Sequence, residues 1–162
     1  MSVNLSSTHY LSVSKSEKYT IVHDQLKGLL HGETDAIANL GNAMALLKQV
    51  FSWWWVGLYR VEGEELCLGP FQGPVACSRI AFGKGVCGTA WKQAKTLIVP
   101  DVHEFPGHIA CSAESQSEIV VPIFKDKKVI AVLDVDSENL SQFDADDARE
   151  LELFCASLVP YL

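Results

Sequence analysis

Residues 119–136, IVVPIFKDKKVIAVLDVD, place two apolar runs on either side of a short charged turn. Ile119 to Phe124 and Val129 to Val135 are rich in β-branched residues, and Lys125-Asp126-Lys127-Lys128 reads as the turn between them, so the segment is a β-hairpin. Side chains alternate between the faces of a strand, which puts Asp134 and Asp136 on one face at its end. Folding about Asp126 and Lys127 brings Glu118, at the entry to the first strand, to the same end of the sheet. Adjacent buried carboxylates repel unless a cation or shared protons intervene. A bound ammonium group, a metal or raised proton affinity would each resolve the conflict. The plainer alternative is a solvated strand end leading into Ser137-Glu138-Asn139.

Working outward, Trp53 to Arg60, Glu65 to Phe71, Val75 to Phe82 and Leu97 to Val99 supply four more strand candidates, six in all. Upstream, Ser14-x-x-Glu17 reads as a capping box, followed at helical spacing by Tyr19, Val22, Leu26, Leu29 and Leu30, with Gly32 as the stop. A second helix opens near Thr34 or Asp35 on a stripe of Ile37, Leu40, Met44, Leu47 and Phe51. The segment Gly83 to Lys95 is a glycine loop entering a short helix, and a long loop runs from Asp101 to Ser117. A last helix is capped near Asp144 and carries Ala148, Leu151, Phe154, Cys155 and Leu158 on one face. This order predicts an α+β fold, a mostly antiparallel six-stranded sheet with the N- and C-terminal helices packed on one face. Residues 1–13 are expected to be a flexible segment and 14–162 a single domain.

The chain has 162 residues, 48% of them hydrophobic, and a net charge of −7. Mean hydropathy is +0.13 and the pI is near 5.1. An acidic chain with no basic cluster is expected to bind no nucleic acid. Its longest uncharged apolar run, Phe51 to Tyr59, is too short to span a bilayer, so no membrane partner is expected. A basic start followed by an apolar core is missing from the N-terminus, so a cytoplasmic location is expected.

Five cysteines, with no C-x-x-C pair, argue against a disulfide framework, a zinc ribbon or a thioredoxin-like dithiol. Cys67 alternates with Leu66 and Leu68, and Cys155 completes a helix stripe; both read as core. Cys77, Cys87 and Cys111 fall in the irregular half. Cys87 stands near a helix start beside Lys84, where unpaired N–H groups favour a thiolate. His108 precedes Cys111 by three residues and would assist that thiol if the loop folds back. The pattern His103-x4-His108-x2-Cys111 matches no common zinc spacing, and no metal is expected. Trp55, Gly57 and Tyr59 share one strand face, with Trp54, Val56 and Leu58 on the other. Gly57 between two aromatics is expected to leave a hollow suited to a methyl or thioether group.

From Tyr19 to Leu162 the chain resembles the free methionine-(R)-sulfoxide reductases, which are built on a GAF fold. The matching segments are Trp55-Val56-Gly57-Leu58-Tyr59, Gly69-Pro70-Phe71-Gln72-Gly73, Gly83-Lys84-Gly85-Val86-Cys87-Gly88, Val99-Pro100-Asp101-Val102, His108-Ile109-Ala110-Cys111 and Leu133-Asp134-Val135-Asp136-Ser137. Three cysteines distinguish this family from ordinary GAF sensors. The resemblance implies Cys111 as nucleophile, with Cys77 or Cys87 resolving and Cys77 the first choice. The thiolate argument alone favours Cys87, which stays a rival for attack. It further implies that Glu118, Asp134 and Asp136 hold the substrate ammonium and carry a proton, while Trp55 and Tyr59 wall the methyl group. Free methionine sulfoxide would be the substrate and thioredoxin the external reductant, with no bound cofactor, and the protein would be a homodimer through its N-terminal helices. A non-catalytic small-molecule GAF sensor and a thiol redox sensor are the alternatives.

Overall fold

The computed structural model of the chain describes residues 9–108 and 113–162. A 3₁₀ turn at His9–Leu11 places Tyr10 against the core. Helix α1, Lys15–Leu30, begins with the expected capping box: the Ser14 hydroxyl accepts from the Glu17 N–H, and the Glu17 carboxylate accepts from the Ser14 N–H. Helix α2, Ala36–Phe51, is capped by Asp35 and ends at Ser52 in a left-handed conformation. Its buried face runs through Leu40, Ala43, Met44, Leu47 and Val50. Ile37, expected on that face, is 77% exposed. Residues 36–38 are all exposed, so α2 reaches its packing partners only from Asn39 onward.

The strands follow as β1, Trp55–Glu62; β2, Glu65–Gln72; and β3, Arg79–Ala81. Helix α3, Gly85–Gln93, and β4, Leu97–Val99, come next. The hairpin is β5, Ser117–Lys125, and β6, Lys128–Ser137, and α4, Ala145–Leu158, follows it. The sheet order is β3-β2-β1-β6-β5-β4, every pair antiparallel. At the hairpin tip Asp126 and Lys127 both adopt positive φ, as a two-residue type I′ turn requires. The strand expected over Val75 to Phe82 contracts to Arg79–Ala81. Pro74 has no N–H to give a ladder, and two carbonyls of the preceding stretch are bonded to aromatic side chains instead.

The central strands are buried on both faces, which divides the interior in two. Val56, Leu58, Val121, Leu133 and Val135 face α1, α2 and α4 in the larger cluster. Tyr59, Val120 and Val132 face α3 in the smaller one, with Val86 and Ala90. The N- and C-terminal helices therefore occupy one face, as the sequence predicts, and α3 with the irregular loops covers the other. Among the described residues no helix is long and apolar enough to cross a membrane.

Candidate active site

The hairpin register places all three acids on the α3 face. Glu118 stands opposite Asp136, Val120 opposite Asp134, and on the other side of β6 Asp134 stands opposite Gly57 and Asp136 opposite Trp55. Glu118 and Asp134 are 5% and 7% exposed. Among the described residues no lysine or arginine forms an ion pair with any of the three. Burial, and then the neighbouring carboxylates, push Glu118 and Asp134 well above the usual carboxylate range. Burial raises Asp136 to about 6, opposed by a hydrogen bond from the Ser115 hydroxyl at 2.5 Å. Asp134 Oδ1 is buried without any hydrogen-bond partner. An unpartnered carboxylate oxygen beside two further acids is costly unless a donor arrives from outside the fold.

Among the described residues, the sulfur beside these acids is Cys87, in the first turn of α3. Helix α3 approaches β3 closely: a Cβ on Gly88 would stand 2.5 Å from the Ala81 carbonyl oxygen. Cys87 Sγ lies 3.9 Å from Glu118 Oε1 and is 4% exposed. Burial and the charges of Asp134 and Glu118 push its thiol well above the ordinary value. The helix N-terminus was expected to favour a thiolate here; burial, and then the neighbouring acids, overrule it, and the Cys87 thiol points toward Glu118. Cys77 sits half-buried in the irregular stretch before β3 and is disulfide-bonded, whereas Cys67, Cys87 and Cys155 are free. Cys155 is core, as expected; Cys67 is only half-buried. Cys111 lies outside the described residues.

Trp55 and Tyr59 line the same pocket and are almost fully buried. Their rings stack at 6.0 Å, and Trp55 also stacks on Phe71 at 5.4 Å. The hollow expected beside Gly57 is occupied by the Trp55 indole itself: a Cβ at Gly57 would come within 2.2 Å of Trp55 Cη2. Gly57 therefore seats the wall of the pocket rather than opening it. Trp54, expected on the opposite face, packs against the α3-side cluster, because β1 begins only at Trp55 and alternation does not extend back to it.

The pocket spans about 570 Å³ including its open mouth and is lined by the three acids, Cys87, the two aromatics, and Pro74 to Ala76. His108 also lines it, with Nε2 3.8 Å from Glu118 Oε2, and burial lowers its proton affinity. His103 is instead on the surface, paired with Asp101 at 2.9 Å, and does not line the pocket. Sequence reasoning missed Ser115, whose contact depends on how the long loop re-enters β5. Ligand atoms of Cys87, Glu118 and Asp134 lie within 4.8 Å of one another, a spacing a metal ion would also accept.

A profile of the GAF domain matches residues 34–159. The chain is 58% identical over 139 residues to GAF domain-containing protein A of Dictyostelium discoideum, covering 85% of this chain and 88% of that one. It is 42% identical over 147 residues to the free methionine-R-sulfoxide reductase of Escherichia coli, covering 90% and 89%. The crystal structure of free methionine-R-sulfoxide reductase from Neisseria meningitidis, in complex with its substrate, superposes with a TM-score of 0.90 at 49% identity, covering 93% of this chain and 91% of that one. With its six-stranded antiparallel sheet and this extent of identity, the chain belongs to the free methionine-R-sulfoxide reductase family of GAF-domain proteins.

Proposed function

We propose that the protein reduces free L-methionine-(R)-sulfoxide to methionine through thiol, sulfenic acid and disulfide states, with thioredoxin restoring the thiols. One observation carries the reading. Buried carboxylates converge in a pocket with, among the described residues, Asp134 Oδ1 unpartnered and no lysine or arginine paired to them. A free amino acid brings an ammonium group that supplies donors and charge at once. A peptide-bound residue has an uncharged amide nitrogen there, so the site discriminates against it. Trp55 and Tyr59 provide the apolar wall for the thioether end.

In the first step the Cys111 thiolate attacks the sulfoxide sulfur, the oxygen is protonated, and methionine leaves as the oxygen passes to the cysteine sulfur as a sulfenic acid. A carboxylic acid kept protonated by its surroundings is a suitable proton donor, and Glu118 and Asp134 are both held in that condition. The Cys77 thiol then displaces water from the sulfenic acid, and the resulting disulfide is opened by thiol exchange with thioredoxin. The oxidised state of Cys77, beside a free and protonated Cys87, supports the choice of Cys77 over Cys87 as the resolving thiol.

The test is NADPH consumption with thioredoxin, thioredoxin reductase and the two sulfoxide epimers. Turnover of the free R epimer is expected, with little on the S epimer or a blocked peptide. Cys111→Ser should abolish it; retained activity would move the nucleophile elsewhere. Binding without turnover would mark a sensor instead. A metal ion is the second reading, on the proximity of Cys87, Glu118 and Asp134. Stoichiometric metal in the purified protein, with activity lost to a chelator and restored by metal, would establish that reading and displace the ammonium assignment.

A further inference from the structure

The stretch between β2 and β3 carries Cys77 but belongs to no strand or helix. Two pocket aromatics reach out to it. Trp55 Nε1–H donates to the Pro74 carbonyl at 3.0 Å, and the Tyr59 hydroxyl donates to the Cys77 carbonyl at 3.0 Å. A third bond, from the Leu68 N–H to the Ser78 carbonyl at 3.1 Å, closes its far end. Val75, between the two aromatic tethers, is 87% exposed, while Ala76 and Cys77 are half-buried against the cluster beneath α3. Beyond that packing, its backbone is tied to the pocket by side chains whose rings are themselves fixed, Tyr59 at 1% exposure in the cluster beneath α3. Burial and the nearby Asp134 push the Tyr59 ionisation upward, so its hydroxyl keeps its proton and remains a donor.

We infer that Tyr59 is the positioning residue for disulfide formation, its hydroxyl clamping the backbone of Cys77 so that this thiol meets the newly oxidised sulfur. The inference rests on the assignment of Cys77 as resolving thiol. The step it serves is balanced: the Cys77 sulfur attacks the sulfenic sulfur, an S–S bond forms, the S–O bond breaks, and hydroxide leaves with the Cys77 proton as water. No further oxidant is consumed. Without the clamp Cys77 samples a wider range of positions, and the sulfenic acid waits longer for it. The pocket wall would then have two tasks, apolar contact with the ligand on its ring face and alignment of the second thiol through its hydroxyl.

The experiment follows the fate of the oxidised enzyme rather than its turnover. Reduced enzyme receives a substoichiometric pulse of the free R sulfoxide in the presence of dimedone, and mass spectrometry measures dimedone adduct against disulfide per methionine released. This ratio is insensitive to how fast the first step runs. Wild type should give disulfide, and Cys77→Ser should give adduct. Tyr59→Phe, which keeps the ring and loses the hydroxyl, should raise the ratio of adduct to disulfide by about fivefold to tenfold, the scale of one lost hydrogen bond. A wild-type ratio in Tyr59→Phe, with adduct in Cys77→Ser, would overturn the clamp while leaving the resolving thiol in place. Disulfide formed unabated in Cys77→Ser would overturn the underlying assignment. If Tyr59→Phe fails to fold, Trp55→Phe removes the other tether, and the same ratio decides: an increase supports clamping of the stretch and wild-type partitioning refutes it.

Discussion

Ser115 shows how a single hydroxyl sets the working range of the site. It donates to Asp136 Oδ1 at 2.5 Å and opposes the burial that holds this acid near 6. An ammonium ligand prefers the ionised carboxylate, so acidification through about pH 6 should raise KM for the free sulfoxide. Ser115→Ala removes a hydrogen bond that favours the charged form, and the acidic limb of the kcat/KM profile should move to higher pH by about one unit. An unmoved limb would mean that Asp136 does not titrate in binding. At this scale the alternation of a strand made the acids legible: Asp134 and Asp136 two apart, Glu118 returned by the hairpin turn. Ser115 and His108 were not legible as partners, because their contacts depend on the path of a long loop with no periodicity. The Trp55 ring lying on Gly57 was equally hidden, since spacing reports a face and not a rotamer.

At the scale of elements, the capping signals carried more than helix starts. Asp147 closes the capping box of α4 with Asp144, and its other oxygen accepts from the buried Tyr19 hydroxyl of α1 at 2.7 Å. Lys15 bridges both acids at 2.6 and 2.9 Å. The N-terminus of α4 is thereby fastened to the first turns of α1, so a local start signal doubles as a tertiary clamp. Tyr19→Phe leaves the ring in the core and removes one donor from a carboxylate of 2% side-chain exposure. A loss of about 1–2 kcal/mol in urea unfolding is expected, with kcat unchanged because the clamp lies across the sheet from the pocket. A loss below about 0.5 kcal/mol would mean that Lys15 and the backbone satisfy Asp147 alone. Both helix caps and the hairpin were readable for this reason: their chemistry is local. The exposed Ile37 and the shortened β3 were not, because coverage by other elements and the bonds from Trp55 and Tyr59 are tertiary facts.

For the whole molecule, the sheet is stabilised from one side and loaded with buried acids on the other. The helical face buries a continuous apolar cluster, while the α3 face holds three acids without a lysine or arginine partner among the described residues. The empty protein therefore carries a pH-dependent burden. For Asp136, the rise from 3.8 to about 6 corresponds to about 3 kcal/mol. The folded state keeps a proton that the unfolded chain has released, so stability falls as pH rises from about 4 through about 6. Glu118 and Asp134, also raised by burial and by their acidic neighbours, add to that fall. The ligand-free protein should melt at a higher temperature near pH 5.5 than near pH 7.5, and Asp134→Asn should raise the melting temperature at pH 7.5 by removing a titratable group that burial and Asp136 hold against ionisation. Free methionine sulfoxide, saturating at about a hundred times its Kd, should add about 2.7 kcal/mol, or several degrees, to wild type at pH 7.5. Asp134→Asn should lose most of that shift, because the amide keeps an acceptor oxygen but cannot ionise to meet the ammonium. A melting curve indifferent to pH, or an equal ligand shift in Asp134→Asn, would mean that the acids are compensated within the fold and that the pocket does not recognise its ligand by charge.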